Sequence, residues 1–317
     1  MIRTVNLTKR YGSLLAVDGI DLTIEPGEIY GFLGPNGAGK TSTIKMILGI
    51  TRPTAGEVFL FGERYHSGRR DLRTRIGVVP ELHPRGVWSW MTAREYLRMF
   101  GELYGVHKVD ERIADLLSRV GLIDVADRKY TKFSRGMTQK LSFVRALLHD
   151  PDILVLDEPI SGLDPVGVRE IRDLILAERR EGRTIVISSH ILSEMEKVCT
   201  RVAVIHRGRL CAQDTMENLL VNLTDDRQYR VELDQVPDWL VEEIRSCDFV
   251  RDATRQGSAL VVHVAKLGDH RRELSSYLYA KRLIPLTIHE QSASLEEAFL
   301  TITNDTIGRI SAAGEQR

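Results

Sequence analysis

An excess of charge of either sign is missing from this 317-residue chain: Lys and Arg number 44, Asp and Glu number 44, and the formal net charge is zero. Chains held to nucleic acid by electrostatics usually carry a basic excess, so nucleic acid is not an expected partner. No apolar run approaches the roughly 18 residues of a membrane span. No charged-then-apolar leader opens the sequence, so the expectation is a chain that is not secreted. Cysteine is scarce. Cys199, Cys211 and Cys247 are odd in number and form no Cys-x-x-Cys pair, a pattern of reduced structural thiols rather than of a disulfide framework or a metal cluster. Internal repeats and low-complexity tracts are also lacking. What is present is 43% hydrophobic and 28% charged, enough for a sizeable core. The length suggests about two domains of roughly 150 residues.

Short apolar runs rich in β-branched residues punctuate the first two thirds. Ile2 to Leu7, Leu22 to Ile24 and Glu28 to Leu33 read as strands, and so do Ile76–Val79, Ile153–Leu156, Thr184–Ile187 and Val202–Ile205. Helical stretches separate the later ones, which predicts buried, largely parallel strands. A helix is predicted from Lys40 to Leu48, another after the capping box Thr92-Ala-Arg-Glu95, and an amphipathic one over Val168 to Arg180. Beyond Leu223 the pattern changes to strand 228–233, helix 238–246, strands 249–254 and 259–264, helix 269–281 and strand 284–289. That βαββαβ order predicts a small ferredoxin-like sandwich. Val231, Leu233, Leu260, Val262, Leu286 and Ile288 are expected to face its core, and Leu295, Ala298 and Phe299 to form one stripe of a short helix.

Gly34-Pro-Asn-Gly-Ala-Gly39-Lys40-Thr41 has the spacing G-x-x-x-x-G-K-[ST] between a predicted strand and a predicted helix. Polyphosphate brings several negative charges, and a helix N-terminus offers unpaired N–H groups and a favourable dipole. Glycines let the backbone wrap the phosphates, Lys40 supplies a point charge, and the Thr41 hydroxyl is placed to ligate Mg²⁺. Downstream, the apolar strand Ile153–Leu156 ends in Asp157 and Glu158, where open α/β sheets meet their ligands. Asp157 would face the metal side and Glu158 the attacking water.

These motifs, with the segments between and after them, resemble those of the ATP-binding cassette (ABC) ATPases over about residues 1–220. Ser134-Arg-Gly-Met-Thr-Gln139 stands where the family carries its signature. Ser161-Gly-Leu-Asp164 is similar to its D-loop, and Ser188-Ser-His190 to its switch histidine. Tyr11 resembles the aromatic residue that stacks on adenine. Within the family, Ile76-Gly-Val-Val-Pro-Glu81, the Ser-x-Gly-Met signature and Ser294-Leu-Glu-Glu-Ala-Phe-Leu300 most resemble the ATPase subunits of daunorubicin-resistance-like and sodium-export-like exporters. Phe133, Arg135 and Met137 depart from the usual Leu-Ser-Gly-Gly-Gln, and Glu81 stands for the usual Q-loop glutamine.

The resemblance implies an α/β P-loop cassette: a mainly parallel sheet, an antiparallel N-terminal part and a helical subdomain. The expected bounds are 1–223 for the cassette, about 82–150 for its helical subdomain, 225–303 for the accessory α+β domain and 304–317 for a frayed tail. It implies ATP hydrolysis with Mg²⁺, catalysed by Glu158, His190 and Lys40. Tyr11, Gly34, Pro35, Asn36, Gly37, Ala38, Gly39, Lys40, Thr41 and Ser42 would hold ATP, and Thr41, Asp157 and Glu81 the metal. Ser134, Arg135 and Gly136 would reach the nucleotide of an opposite subunit, either a second copy or a paralogue. The implied task is to power export through a separate integral membrane permease, from the cytoplasmic face of the membrane. The alternative is a soluble ABC ATPase acting on ribosomes or DNA. Trp88, Trp90, Met91 and Tyr96 are expected to form an exposed aromatic groove for a helix of the permease, and Arg69, Arg70, Arg73 and Arg75 a solvated face.

Overall fold

The computed structural model describes residues 1–66, 68–81, 90–222, 226–265, 269–291 and 295. The chain divides into two compact units, 1–216 and 217–317.

In the first unit, β1 (Ile2–Tyr11) pairs antiparallel with β2 (Leu14–Ile24), and the chain then enters β3 (Ile29–Leu33) and α1 (Lys40–Ile47). The strands β4 (Ala55–Leu60) and β5 (Glu63–Tyr65) complete an antiparallel sheet of order β2-β1-β4-β5. After the single helical turn α2 (Arg70–Arg73), β6 (Ile76–Val79) leads to α3 (Ala93–Leu103), α4 (Val109–Arg119) and α5 (Arg135–Leu147). Then come β7 (Ile153–Asp157), α6 (Pro165–Arg180), β8 (Thr184–Ser189), α7 (Leu192–Val198), β9 (Arg201–His206) and β10 (Arg209–Thr215), after which α8 (Met216–Asn222) carries the chain into the second unit.

The second sheet has the order β10-β9-β3-β8-β7-β6; every pair is parallel except the edge pair β10–β9. Every residue of β3 and β8 is buried, as their unbroken apolar runs require of strands covered on both faces. Tyr30, Phe32, Ile44, Val155 and Val186 share one core with Ile2, Leu7 and Ile20 of the antiparallel sheet. That core fixes the junction of β3 and α1, where the glycine loop lies.

Helix starts follow their local signals. Thr92 Oγ1 accepts the Glu95 N–H at 3.2 Å, and Glu95 Oε2 accepts the Thr92 N–H at 2.8 Å, closing the predicted capping box. Ser134 caps α5 by accepting the Met137 N–H, and Asp164 caps α6 by accepting that of Gly167.

The expected aromatic groove is corrected in part. Trp90 is 65% exposed, but Met91 and Tyr96 are core residues; Trp88 lies outside the described residues. Ala93, Tyr96 and Leu97 sit at i, i+3 and i+4 and face inward together. Tyr96 stacks on Tyr130 at 5.6 Å, and its hydroxyl accepts a hydrogen bond from Arg145. The arginine run is paired on its surface: Arg69 with Glu63 and Asp71, and Arg75 with Asp152.

A buried charge cluster ties α4 to α6. Glu178, almost fully buried, accepts from Arg183 at 2.7 Å and from Arg119 at 2.8 Å. Burial pushes its carboxyl upward against the pull of Arg183 and Arg119. Glu178→Ala is expected to cost about 3 kcal/mol in a urea melt. This is the low end for breaking a buried pair, because Arg183 keeps Glu181 and Asp150.

The second unit runs β11 (Asp226–Glu232), α9 (Asp238–Ile244), β12 (Val250–Gln256), β13 (Ala259–Ala265), α10 (Arg271–Ala280) and β14 (Thr287–Gln291). Its sheet order β12-β13-β11-β14, with every pair antiparallel, is the ferredoxin-like arrangement. Val231, Leu233, Leu260 and Val262 pack against Leu240, Ile244, Leu274 and Leu278, with Ile288 at the margin. Leu286 does not join them: it precedes β14 and is 60% exposed, although its N–H reaches the Glu232 carbonyl. Leu295 is buried, while Ala298 and Phe299 lie outside the described residues.

Among the described residues, no helix is long and apolar enough to cross a membrane. All three cysteines are free, and burial pushes the Cys199 thiol well up.

Candidate functional site

The loop from Gly34 to Gly39 joins a central strand to α1, and its glycines answer to close approaches. A methyl group on Gly34 would come within 2.2 Å of the Ile205 carbonyl. One on Gly39, at φ 110°, would come within 2.6 Å of the Ala16 carbonyl. No side chain caps α1 and no acid lies in its first turn. Its first N–H groups are therefore available to an anion.

A cavity of about 350 Å³ opens at this helix end. Pro35, Asn36, Gly37, Ala38, Gly39, Lys40, Thr41 and Ser42 form one wall, and Tyr11 stands at the rim, 45% exposed. Glu81, Glu158 and His190 line it too. Gly34 is not on the wall; its carbonyl accepts from Lys40 Nζ at 2.6 Å. Asp157 lies just beneath, with Oδ1 3.5 Å from the Thr41 hydroxyl. Ser134, Arg135 and Gly136 do not reach this cavity; they stand at the exposed start of α5.

The catalytic candidates converge. Lys40 Nζ lies 3.7 Å from Glu158 Oε1, and His190 Nδ1 lies 2.9 Å from Glu158 Oε2. Lys40 and Glu158 are nearly buried, at 6% and 8% exposure, while the His190 side chain is 46% exposed. Glu158 has φ 49°, a left-handed backbone that a residue with a side chain holds only when its surroundings impose it. Its N–H is held by the Ser188 carbonyl at 3.2 Å and the Ser188 hydroxyl at 3.1 Å. The Ser188 hydroxyl also donates to Asp157 Oδ1 at 2.5 Å.

Four contributors carry no role in the sequence reading. Leu14 and Ala16 line the cavity from β2, and Ser161 from the loop after Glu158. Ser188, from β8, holds the Asp157 carboxylate and the Glu158 backbone N–H. Ser161 and Ser188 lie inside recognised motifs. Leu14 and Ala16 carry only the two-residue alternation of a strand face.

Chemically, the site combines a helix N-terminus, a cation, a hydroxyl–carboxylate pair and a second carboxylate braced by an imidazole. It can hold a polyphosphate and polarise a water molecule at its end.

A family described as "ABC transporter" matches residues 17–161. The bacitracin transport ATP-binding protein of Bacillus licheniformis is 44% identical over 220 residues, 69% of this chain and 71% of that protein. The linearmycin resistance ATP-binding protein of Bacillus subtilis is 30% identical over 312 residues, 97% of this chain and 99% of that protein. A solved ATP-binding subunit of an ABC transporter has 28% sequence identity and a TM-score of 0.64, covering 70% of this chain and 92% of its own.

Proposed function

We infer the working cycle from one premise: the chain belongs to the ABC transporter family, as an ATP-binding subunit. It is an ATPase, and its relatives are the ATP-binding subunits of exporters. Its proposed task is to power export through a separate membrane permease, from the cytoplasmic face. Antibiotic-type cargo is favoured by the names of the bacitracin and linearmycin relatives. The observation that carries the catalytic assignment is the meeting of Lys40, Glu158 and His190 in the cavity at the start of α1.

Tyr11 stacks on the adenine. The N–H groups of the glycine loop and of α1 hold the phosphates. Lys40 exchanges the carbonyls of Gly34 and Pro35 for phosphate oxygen, a stronger, charge-assisted partner. The Thr41 hydroxyl and Asp157 would hold Mg²⁺, with Glu81 at the same cavity. A hydroxyl and a carboxylate oxygen are the kind of hard oxygen donors that Mg²⁺ would take. An ion held by those residues would supply positive charge against the phosphates. Glu158 accepts a hydrogen bond from the attacking water and orients it; His190 braces that carboxylate and reports on the γ-phosphate.

Because Ser134, Arg135 and Gly136 lie away from the cavity, they are proposed to complete the site of an opposite subunit, a second copy or a paralogue. The cassette is proposed to span 1–223 and the accessory domain 225–303.

The purified chain should release phosphate from ATP, and chelating Mg²⁺ should lower the rate at least about 100-fold, with recovery on adding the ion back. A rate indifferent to chelation would remove Thr41 and Asp157 from the metal role. Co-purification with an integral membrane protein tests the transport assignment.

A further inference from the structure

Arg135 stands first in α5, at a helix end whose dipole favours anions, and no acid lies in that first turn. Among the described residues no ion pair joins it to a carboxylate. Its guanidinium lies instead on the loop that leads out of Glu158. A methyl group on Gly162 would come within 2.5 Å of Arg135 Cζ and Nη1 and 2.8 Å of Nη2. The planar head fills the space where any side chain at 162 would begin, and Gly162 itself has φ 66°.

The rest of that loop is held at its ends and by the burial of Pro159 and Ile160. Glu158 hangs from Ser188 at one end, and Asp164 caps α6 at the other by accepting the Gly167 N–H at 2.9 Å. Between them the Ser161 N–H reaches the Glu158 carbonyl, and the Leu163 N–H that of Ile160. Both bonds stay within the loop. To the exposed part of the loop beyond Ile160, contact comes from Arg135 at Gly162, one residue from the Ser161 that lines the cavity. The two flanking helices are joined a turn further on, where Lys140 Nζ lies 2.7 Å from Glu170 Oε2.

We propose that Arg135 is a positioning residue for hydrolysis: through Gly162 of its own subunit it clamps the Glu158–Asp164 loop, and so holds the Glu158 carboxylate and Ser161 in working geometry. The inference rests on the ATPase assignment above and adds to it a contact within one chain. A flat guanidinium seated on a residue without Cβ makes Arg135 and Gly162 a matched pair. Lysine carries the charge but not the planar head.

The test is a double-mutant cycle on the full chain: Arg135→Ala, Gly162→Ala and the two combined. Steady-state kcat and KM would be measured, with titration of a fluorescent ATP analogue for affinity and circular dichroism for folding. Each single variant should lower kcat about tenfold with nucleotide affinity within about twofold, and the double variant should be no worse than about twofold below either single. Arg135→Lys, a mild change at an exposed helix start, should fold like the parent and recover less than half of the lost kcat. Multiplied effects in the double variant would overturn the clamp. So would an unchanged kcat in Arg135→Ala, or a raised KM alone, which would leave Arg135 only its contact with the opposite subunit's nucleotide. An active parent with additive singles overturns this inference alone; a parent with no ATPase activity overturns the ATPase assignment and this inference with it.

Discussion

Glu158→Gln should bind ATP like the parent and hydrolyse it about 100-fold more slowly or worse, a barrier increase of about 2.7 kcal/mol. The amide keeps the shape of the carboxylate but loses the charge that orients water. It also replaces an acceptor of both His190 and Lys40 by a group with one acceptor oxygen. Folding should hold, because the backbone of Glu158 is fixed by Ser188 and not by its own side chain. Phosphate release and nucleotide titration on one preparation separate the two effects. Parental hydrolysis in this variant would show that another group activates the water.

Ser134→Arg should abolish nucleotide-driven dimerisation of the variant with itself, where both sites carry the added cation, and lower hydrolysis about 100-fold, while ATP still binds each separate chain. Ser134 lies outside the cavity of its own subunit, so local affinity has no reason to change. The substitution removes the cap of α5, worth about 1 kcal/mol, and sets a bulky cation where a neighbour's phosphate is proposed to arrive. Light scattering with ATP in the Glu158→Gln background reads the dimer directly. A dimer that persists with Arg at 134 would move the subunit contact elsewhere on the chain.

The phosphate loop was legible in the sequence because its chemistry is local: eight consecutive residues, Gly34 to Thr41, make both the wall and the helix end. Asp157 and Glu158 were legible for the same reason, as the end of an unbroken apolar strand. The bracing was not. Ser188 reaches Asp157 and Glu158 across 30 residues or more, and only the pairing of β7 with β8 brings them together. Tyr96 was expected in a groove because the family resemblance places a permease-docking region after Glu81, whereas its spacing from Ala93 and Leu97 puts it inside. Strands β1 and β2 run longer than their apolar cores suggested. Antiparallel pairing extends through polar positions such as Thr8 and Lys9, with register shifts on the way. In the second unit, alternation found the inward residues of β11 and β13, but Leu286 lies ahead of β14 and the alternation does not reach it.

The central claim is that one catalytic site is built from two chains, Lys40 and Glu158 from one and Ser134 from the other. Subunit mixing tests it most directly. Glu158→Gln and Ser134→Arg, each nearly inactive alone, are mixed in equal amounts before ATP is added. Each mixed dimer then holds one intact site, with Glu158 from one chain and Ser134 from the other, and one doubly damaged site. The activity should rise at least about tenfold above either variant alone. A mixture no more active than its two components would contradict the shared site.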